Sequence, residues 1–198
     1  KHFPGHGDTD RDSHLTLPRL GHDKRRLQAV ELIPFRSASS TLASIMTAHV
    51  VFAAIDPAVP ATLSPEAISG LLRQQLGFQG VVFSDDLEMK AIADHYGIEE
   101  AACLAMEAGC DVILICSRPE RVLQAHQALV RRAEARPDFA EKLRVAAARS
   151  LAARKRYPAA VAVPSSGDIE TMVRDCDPEG VEHRIAAMAS NSSSNSLV

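Results

Sequence analysis

The chain is 198 residues long, with 46% hydrophobic and 24% charged side chains, enough apolar content for one sizeable core and too much for a disordered or fibrous protein. Its 22 basic and 25 acidic residues leave a net charge of −3, without the basic surplus of a nucleic-acid binder. No apolar run approaches the roughly 18 residues of a membrane span, so neither nucleic acid nor a membrane is expected as a partner.

The sequence opens on Lys1-His2-Phe3-Pro4 with no initiator methionine and no signal-type segment. It reads as the interior of a longer chain, with a strand ending at Lys1-His2. The stretch from Lys1 to His14 then places three histidines and three aspartates among Pro4, Gly5 and Gly7, a loop composition. Residues 43–52 are apolar and read as one buried strand. Ser64-Pro65-Glu66 is a helix start, and Ile68, Leu71, Leu72 and Leu76 recur at helical spacing until Gly77 closes the helix. Residues 80–84 form a second apolar strand and residues 111–116 a third, with an alanine-rich helix over 98–108 between them. Residues 119–136 and 139–156 read as two more helices split at Pro137.

This rhythm predicts an α/β fold of about four βα units with parallel strands. Half of an eight-unit barrel and a four-stranded doubly wound sheet fit the spacing equally well. Domain 1 spans residues 1–157. Residues 158–198 are expected to be a linker (158–167), a short helix (182–189) and a serine-rich, disordered or partial second-domain tail. Cys103, Cys110, Cys116 and Cys176 form no C-x-x-C pair and read as reduced core thiols of a cytoplasmic protein.

In parallel α/β folds, chemistry gathers at the carboxyl ends of the strands. Two segments qualify. The Lys1–His14 loop offers imidazoles and carboxylates, but Pro4, Gly5 and Gly7 prevent the helix that would converge His2 and His6 on a metal, and a plain solvated loop is the competing reading. In Ser84-Asp85-Asp86 a carboxylate follows a buried strand, which is costly unless it is used or paired. Adjacent strand side chains face opposite ways, so one acid faces a pocket and Asp86 is expected to cap the next helix. An acid on one loop and an Asp/His pair on another suit glycosidic hydrolysis.

Lys1-His2-Phe3-Pro4-Gly5-His6-Gly7-Asp8-Thr9, Asp12-Ser13-His14, Ile45-Met46-Thr47-Ala48-His49-Val50 and Gly80-Val81-Val82-Phe83-Ser84-Asp85-Asp86-Leu87-Glu88-Met89 resemble the motifs of glycoside hydrolase family 3, in its β-N-acetylhexosaminidase branch. The resemblance runs from Lys1 to about Tyr157. It implies the carboxyl-terminal half of a (β/α)8 barrel, the first half lying upstream together with an Asp and an Arg that complete sugar binding. It further implies that Asp85 is the nucleophile of a retaining reaction and that His14, tuned by Asp12, is the general acid/base. Lys1 and His2 would bind sugar hydroxyls. β-Glucosidases and β-xylosidases of the family take their acid/base from a second domain, so Asp12-Ser13-His14 points to the hexosaminidase branch. The implied substrate is a terminal β-linked N-acetylglucosamine of peptidoglycan (muropeptide) or chitin fragments, with no metal or organic cofactor. The alternatives are a β-glucosidase or β-xylosidase, or a non-catalytic sugar-binding fragment. The oligomeric state is left open.

Overall fold

The computed structural model describes residues 1–9 and 12–157. The linker, short helix and tail expected over 158–198, and Cys176 with them, lie outside the described residues. Strands β1 (Arg19–Leu20), β2 (Ser44–Met46), β3 (Val51–Phe52), β4 (Val81–Asp86) and β5 (Val112–Leu114) alternate with helices α1 (Lys24–Ala29), α2 (Ile33–Ala38), a π-helix (Glu66–Gln75), α3 (Lys90–Ala93), α4 (Ile98–Ala108), α5 (Pro119–Ala135) and α6 (Pro137–Arg156).

All strand pairs are parallel. β2 pairs with β4 in the register Ser44↔Val81 to Met46↔Phe83, and β4 pairs with β5. Phe3 bridges to Thr47 on the free side of β2, so the order at this end of the sheet is the Phe3 segment, β2, β4, β5. β1 and β3 make a separate parallel pair. The expected α/β class with parallel strands is therefore observed.

The single strand expected over 43–52 is two. Thr47 N–H donates to the Phe83 carbonyl and Ala48 N–H to the Phe3 carbonyl, after which Val51 N–H donates to Pro18. The chain changes partner twice in five residues, and the four residues between β2 and β3 bury Thr47 and His49 on hydrogen bonds. Composition alone hides that break, because Val50, Val51 and Phe52 continue the apolar run and are all buried.

The expected helix start stands: Ser64 Oγ accepts the Ala67 N–H at 3.2 Å. Its helix is wound wider than an α-helix, with Leu76 N–H reaching the Leu71 carbonyl, yet it still buries Ile68 and Leu72 completely. Gly77, at φ +68°, takes the left-handed conformation that ends it. A buried Asp111 side chain fastens the layers. It accepts from Arg73 at 2.5 Å, from Arg149 at 2.6 Å and from the Val82 N–H at 2.8 Å.

Candidate active site

β4 carries one more residue than β5 between the pairs Phe83↔Val112 and Asp86↔Leu114. Such a bulge kinks a strand and re-aims its side chains. The displaced ladder bonds are taken over by side chains: Ser84 Oγ accepts the Leu114 N–H at 2.9 Å, and Asp86 Oδ1 accepts the Cys116 N–H at 3.3 Å and the Glu88 N–H at 3.0 Å. Asp86 therefore ties the turn after β4 to the end of β5. It does not cap α3, whose N-cap is Met89 and lacks a side-chain bond; its carboxylate is occupied by the Glu88 and Cys116 N–H groups instead.

Asp85 faces the other way, into a cleft of 650 Å³ that Lys1, His2, Asp12 and His14 also line. That volume lies within the usual range of small-molecule sites. The structure thus brings all five residues singled out in the sequence to one cavity. Asp85 Oδ1 accepts the Asp86 N–H at 2.9 Å, and Oδ2 lies 3.6 Å from His2 Nε2. Burial lowers the pKa of His2, partly opposed by the charge of Asp85, so the ring is neutral near pH 7 and is a polar contact rather than a fixed cation.

Asp12 Oδ1 accepts two bonds from one residue, the His14 N–H at 2.9 Å and His14 Nδ1 at 2.8 Å. The backbone bond, followed by the ring bond, holds the Asp12 carboxyl below its ordinary range. A carboxylate only accepts, so Nδ1 carries a proton and Nε2 is the atom left to exchange one. The pair stands on the open side of the cleft, His14 73% and Asp12 57% exposed. Between them Ser13 is buried. Its Oγ meets His6 Nε2 at 2.9 Å, and its carbonyl accepts the Ala91 N–H at 3.3 Å. The loop is therefore pinned at Ser13 and presents its dyad outward.

Of the two histidines weighed for a metal in this loop, His6 has both ring nitrogens on hydrogen bonds, to Ser13 Oγ at 2.9 Å and to Thr9 Oγ1 at 3.1 Å. Among the described residues Asp8, His22 and Glu31 do cluster, but Arg26 already donates to both carboxylates.

The sequence places His49 near a strand end and within the motif Ile45–Val50 but assigns it no role. The side chain is fully buried behind the β4 turn, with Nε2 2.9 Å from the Asp86 carbonyl and Nδ1 2.8 Å from Thr62 Oγ1.

Residues 1–148 match the model of the glycosyl hydrolase family 3 N-terminal domain. The beta-hexosaminidase of Alkalilimnicola ehrlichii is 50% identical over 123 residues, covering 62% of this chain and 35% of that protein. That of Neisseria gonorrhoeae (strain NCCP11945) is 47% identical over 123 residues, covering 62% and 34%. The chain thus spans about a third of the length of these curated relatives. Among solved structures, a family 3 beta-N-acetylglucosaminidase from Paenibacillus sp. str. FPU-7 superimposes with a TM-score of 0.77 at 45% identity, over 85% of this chain and 33% of that one. The Neisseria gonorrhoeae NagZ complex with N-trifluoroacetyl-D-glucosamine gives a TM-score of 0.55 at 46% identity, over 62% and 35%.

Proposed function

The chain belongs to glycosyl hydrolase family 3, and from that premise we propose that it carries the catalytic half-barrel of a retaining exo-β-N-acetylglucosaminidase. The observation that carries the reading is the opening of Asp85 and the Asp12–His14 pair onto one cleft. In the first step an Asp85 carboxylate oxygen bonds to the anomeric carbon, the glycosidic bond breaks, and His14 Nε2–H gives its proton to the departing oxygen. In the second, His14 takes a proton from water, the water oxygen bonds to the anomeric carbon, and the Asp85 ester breaks. Asp12 holds the ring's tautomer and steadies the imidazolium state in which His14 donates. Lys1 and His2 bind the hydroxyls of the terminal sugar.

The substrate class follows from the relatives, named for hexosaminidase and N-acetylglucosaminidase activity, and from a neighbour that holds an N-acylated glucosamine. Terminal N-acetylglucosamine of peptidoglycan or chitin fragments fits that class. A reducing, cytoplasmic setting for the free thiols Cys103, Cys110 and Cys116 is part of the same proposal.

The test is hydrolysis by the complete gene product of the p-nitrophenyl N-acetyl-β-glucosaminide, β-glucoside and β-xyloside, with the anomer followed by proton NMR. Preference for the N-acetylglucosaminide with a β product first formed is expected. A preference for the glucoside or xyloside, an α product, or no turnover of any of the three contradicts the proposal.

A further inference from the structure

We infer that His49 is a positioning residue, which locks the turn following the nucleophile Asp85 to the strand end beside His2. The inference rests on the reading of Asp85 given above and extends it to a side chain that does not line the cleft.

The Asp86 carbonyl stands at the centre of this contact. Its two lone pairs are both taken, by the Met89 N–H at 3.1 Å across the turn and by His49 Nε2 at 2.9 Å. A carbonyl only accepts, so Nε2 carries the proton. Burial pushes the pKa of the ring down, against the pull of the Asp86 carbonyl and the charges of Asp85 and Asp86, and the ring is neutral. Nδ1 is then an acceptor, and the single proton of the Thr62 hydroxyl is shared between it at 2.8 Å and the Ala48 carbonyl at 3.0 Å, the ring nitrogen being the nearer. Thr62 Oγ1 in turn accepts from the Thr47 hydroxyl at 2.9 Å. The polar chain Thr47, Thr62, His49, Asp86 is complete, with all three side chains fully buried.

The backbone around it serves both halves of the site. Ala48 N–H donates to the carbonyl of Phe3, next to His2, at 2.8 Å, and Thr47 N–H donates to Phe83, on the strand that carries Asp85, at 3.0 Å. Directly after these two anchors His49 reaches a residue 37 positions away. Without its donor, only the Met89 N–H holds the Asp86 carbonyl, and the backbone that sets the direction of Asp85, one residue earlier on a bulged strand, loses one of its two restraints. Buried polar networks of this kind hold a single arrangement because any other leaves a group unpaired.

The experiment compares His49→Asn and His49→Gln in the complete gene product, with p-nitrophenyl N-acetyl-β-glucosaminide as substrate. A glutamine amide reaches the place of Nε2 and donates to Asp86, whereas asparagine ends at the depth of Nδ1. His49→Asn is expected to lower kcat by about a hundredfold, with KM changed less than about threefold, and His49→Gln to recover most of the loss. If His49→Asn does not fold, Thr62→Val, which removes the hydroxyl fixing the tautomer, is expected to lower kcat about tenfold with KM unchanged. Equal kcat losses in the asparagine and glutamine variants, or a raised KM at unchanged kcat, overturn the inference. An inactive wild type refutes the proposed function instead, and amide NMR then decides: His49→Asn shifts the Asp86 and Leu87 resonances and His49→Gln restores them, while resonances indifferent to both variants overturn the inference.

Discussion

Asp12 spends one oxygen on both the amide and the ring of His14, so the charge that supports the imidazolium and the bond that orients it come from the same atom. Asp12→Asn keeps an acceptor and loses the charge. It is expected to lower kcat/KM for poor leaving groups by about 10²–10⁴, and far less for activated aryl glycosides, which need little proton donation; equal losses on both would place the proton donor elsewhere. Asp85 has a consequence that needs no substrate. Its charge raises the pKa of His2 against burial, so Asp85→Asn is expected to move the His2 titration further down, as read by NMR of the ring protons; an unmoved or raised value would separate the two residues. These residues were legible because each sits in a short motif, Asp12 two positions from His14 and Asp85 directly after an apolar strand. The role of His49 was not, although the residue stands in a motif at a strand end, since its partner, the Asp86 carbonyl, lies 37 positions away.

At the level of elements, the bulge in β4 aims Asp85, and Ser84 repairs the ladder there by accepting the Leu114 N–H. Ser84 is fully buried, so Ser84→Ala strands that donor at a cost of about 1–3 kcal/mol. Urea unfolding is expected to show the loss, and an unchanged midpoint would mean the N–H finds another acceptor. The apolar run announced the strand, but a bulge is a matter of register between partners and leaves no mark on one sequence. The helices α4, α5 and α6 were read within a few residues of their observed ends because they repeat apolar positions over several turns. α1 and α2 were missed: each buries a single side chain, Leu27 and Phe35, too few for a periodic signal. The split of 43–52 escaped for the opposite reason, an apolar run continuing through a change of sheet.

For the molecule as a whole, the Asp111 side chain, 1% exposed, joins Arg73 of the π-helix and Arg149 of α6 to the edge of β4. Removing one partner of such a group leaves buried charge unpaired, so Asp111→Ala is expected to cost about 3–5 kcal/mol in urea unfolding; a loss below about 1 kcal/mol would show the arginines turning freely to water. Stability should also depend on pH in a definite direction. Burial lowers both His2 and His49 from an ordinary value of 6.5, with Asp85 and Asp86 opposing at His49 and Asp85 at His2. The unfolded chain therefore binds more protons as pH falls through that value, and stability, full above it, declines below it. The urea midpoint is expected to drop between about pH 7.5 and about pH 5.5, and to drop less in His49→Gln; a midpoint that rises would contradict the neutral, buried rings. The parallel α/β class was legible from alternating strands and helices, whereas half-barrel and open sheet were not separable, because both bury the same apolar runs. Covalent trapping shows whether Asp85 forms the bond to the sugar. The complete gene product is incubated with a slow 5-fluorinated N-acetylglucosaminyl donor, digested, and its peptides weighed and fragmented by mass spectrometry. One added glycosyl group, on Asp85, is expected; a label on Asp86, or hydrolysis with no labelled acid, would rule out Asp85 as the nucleophile.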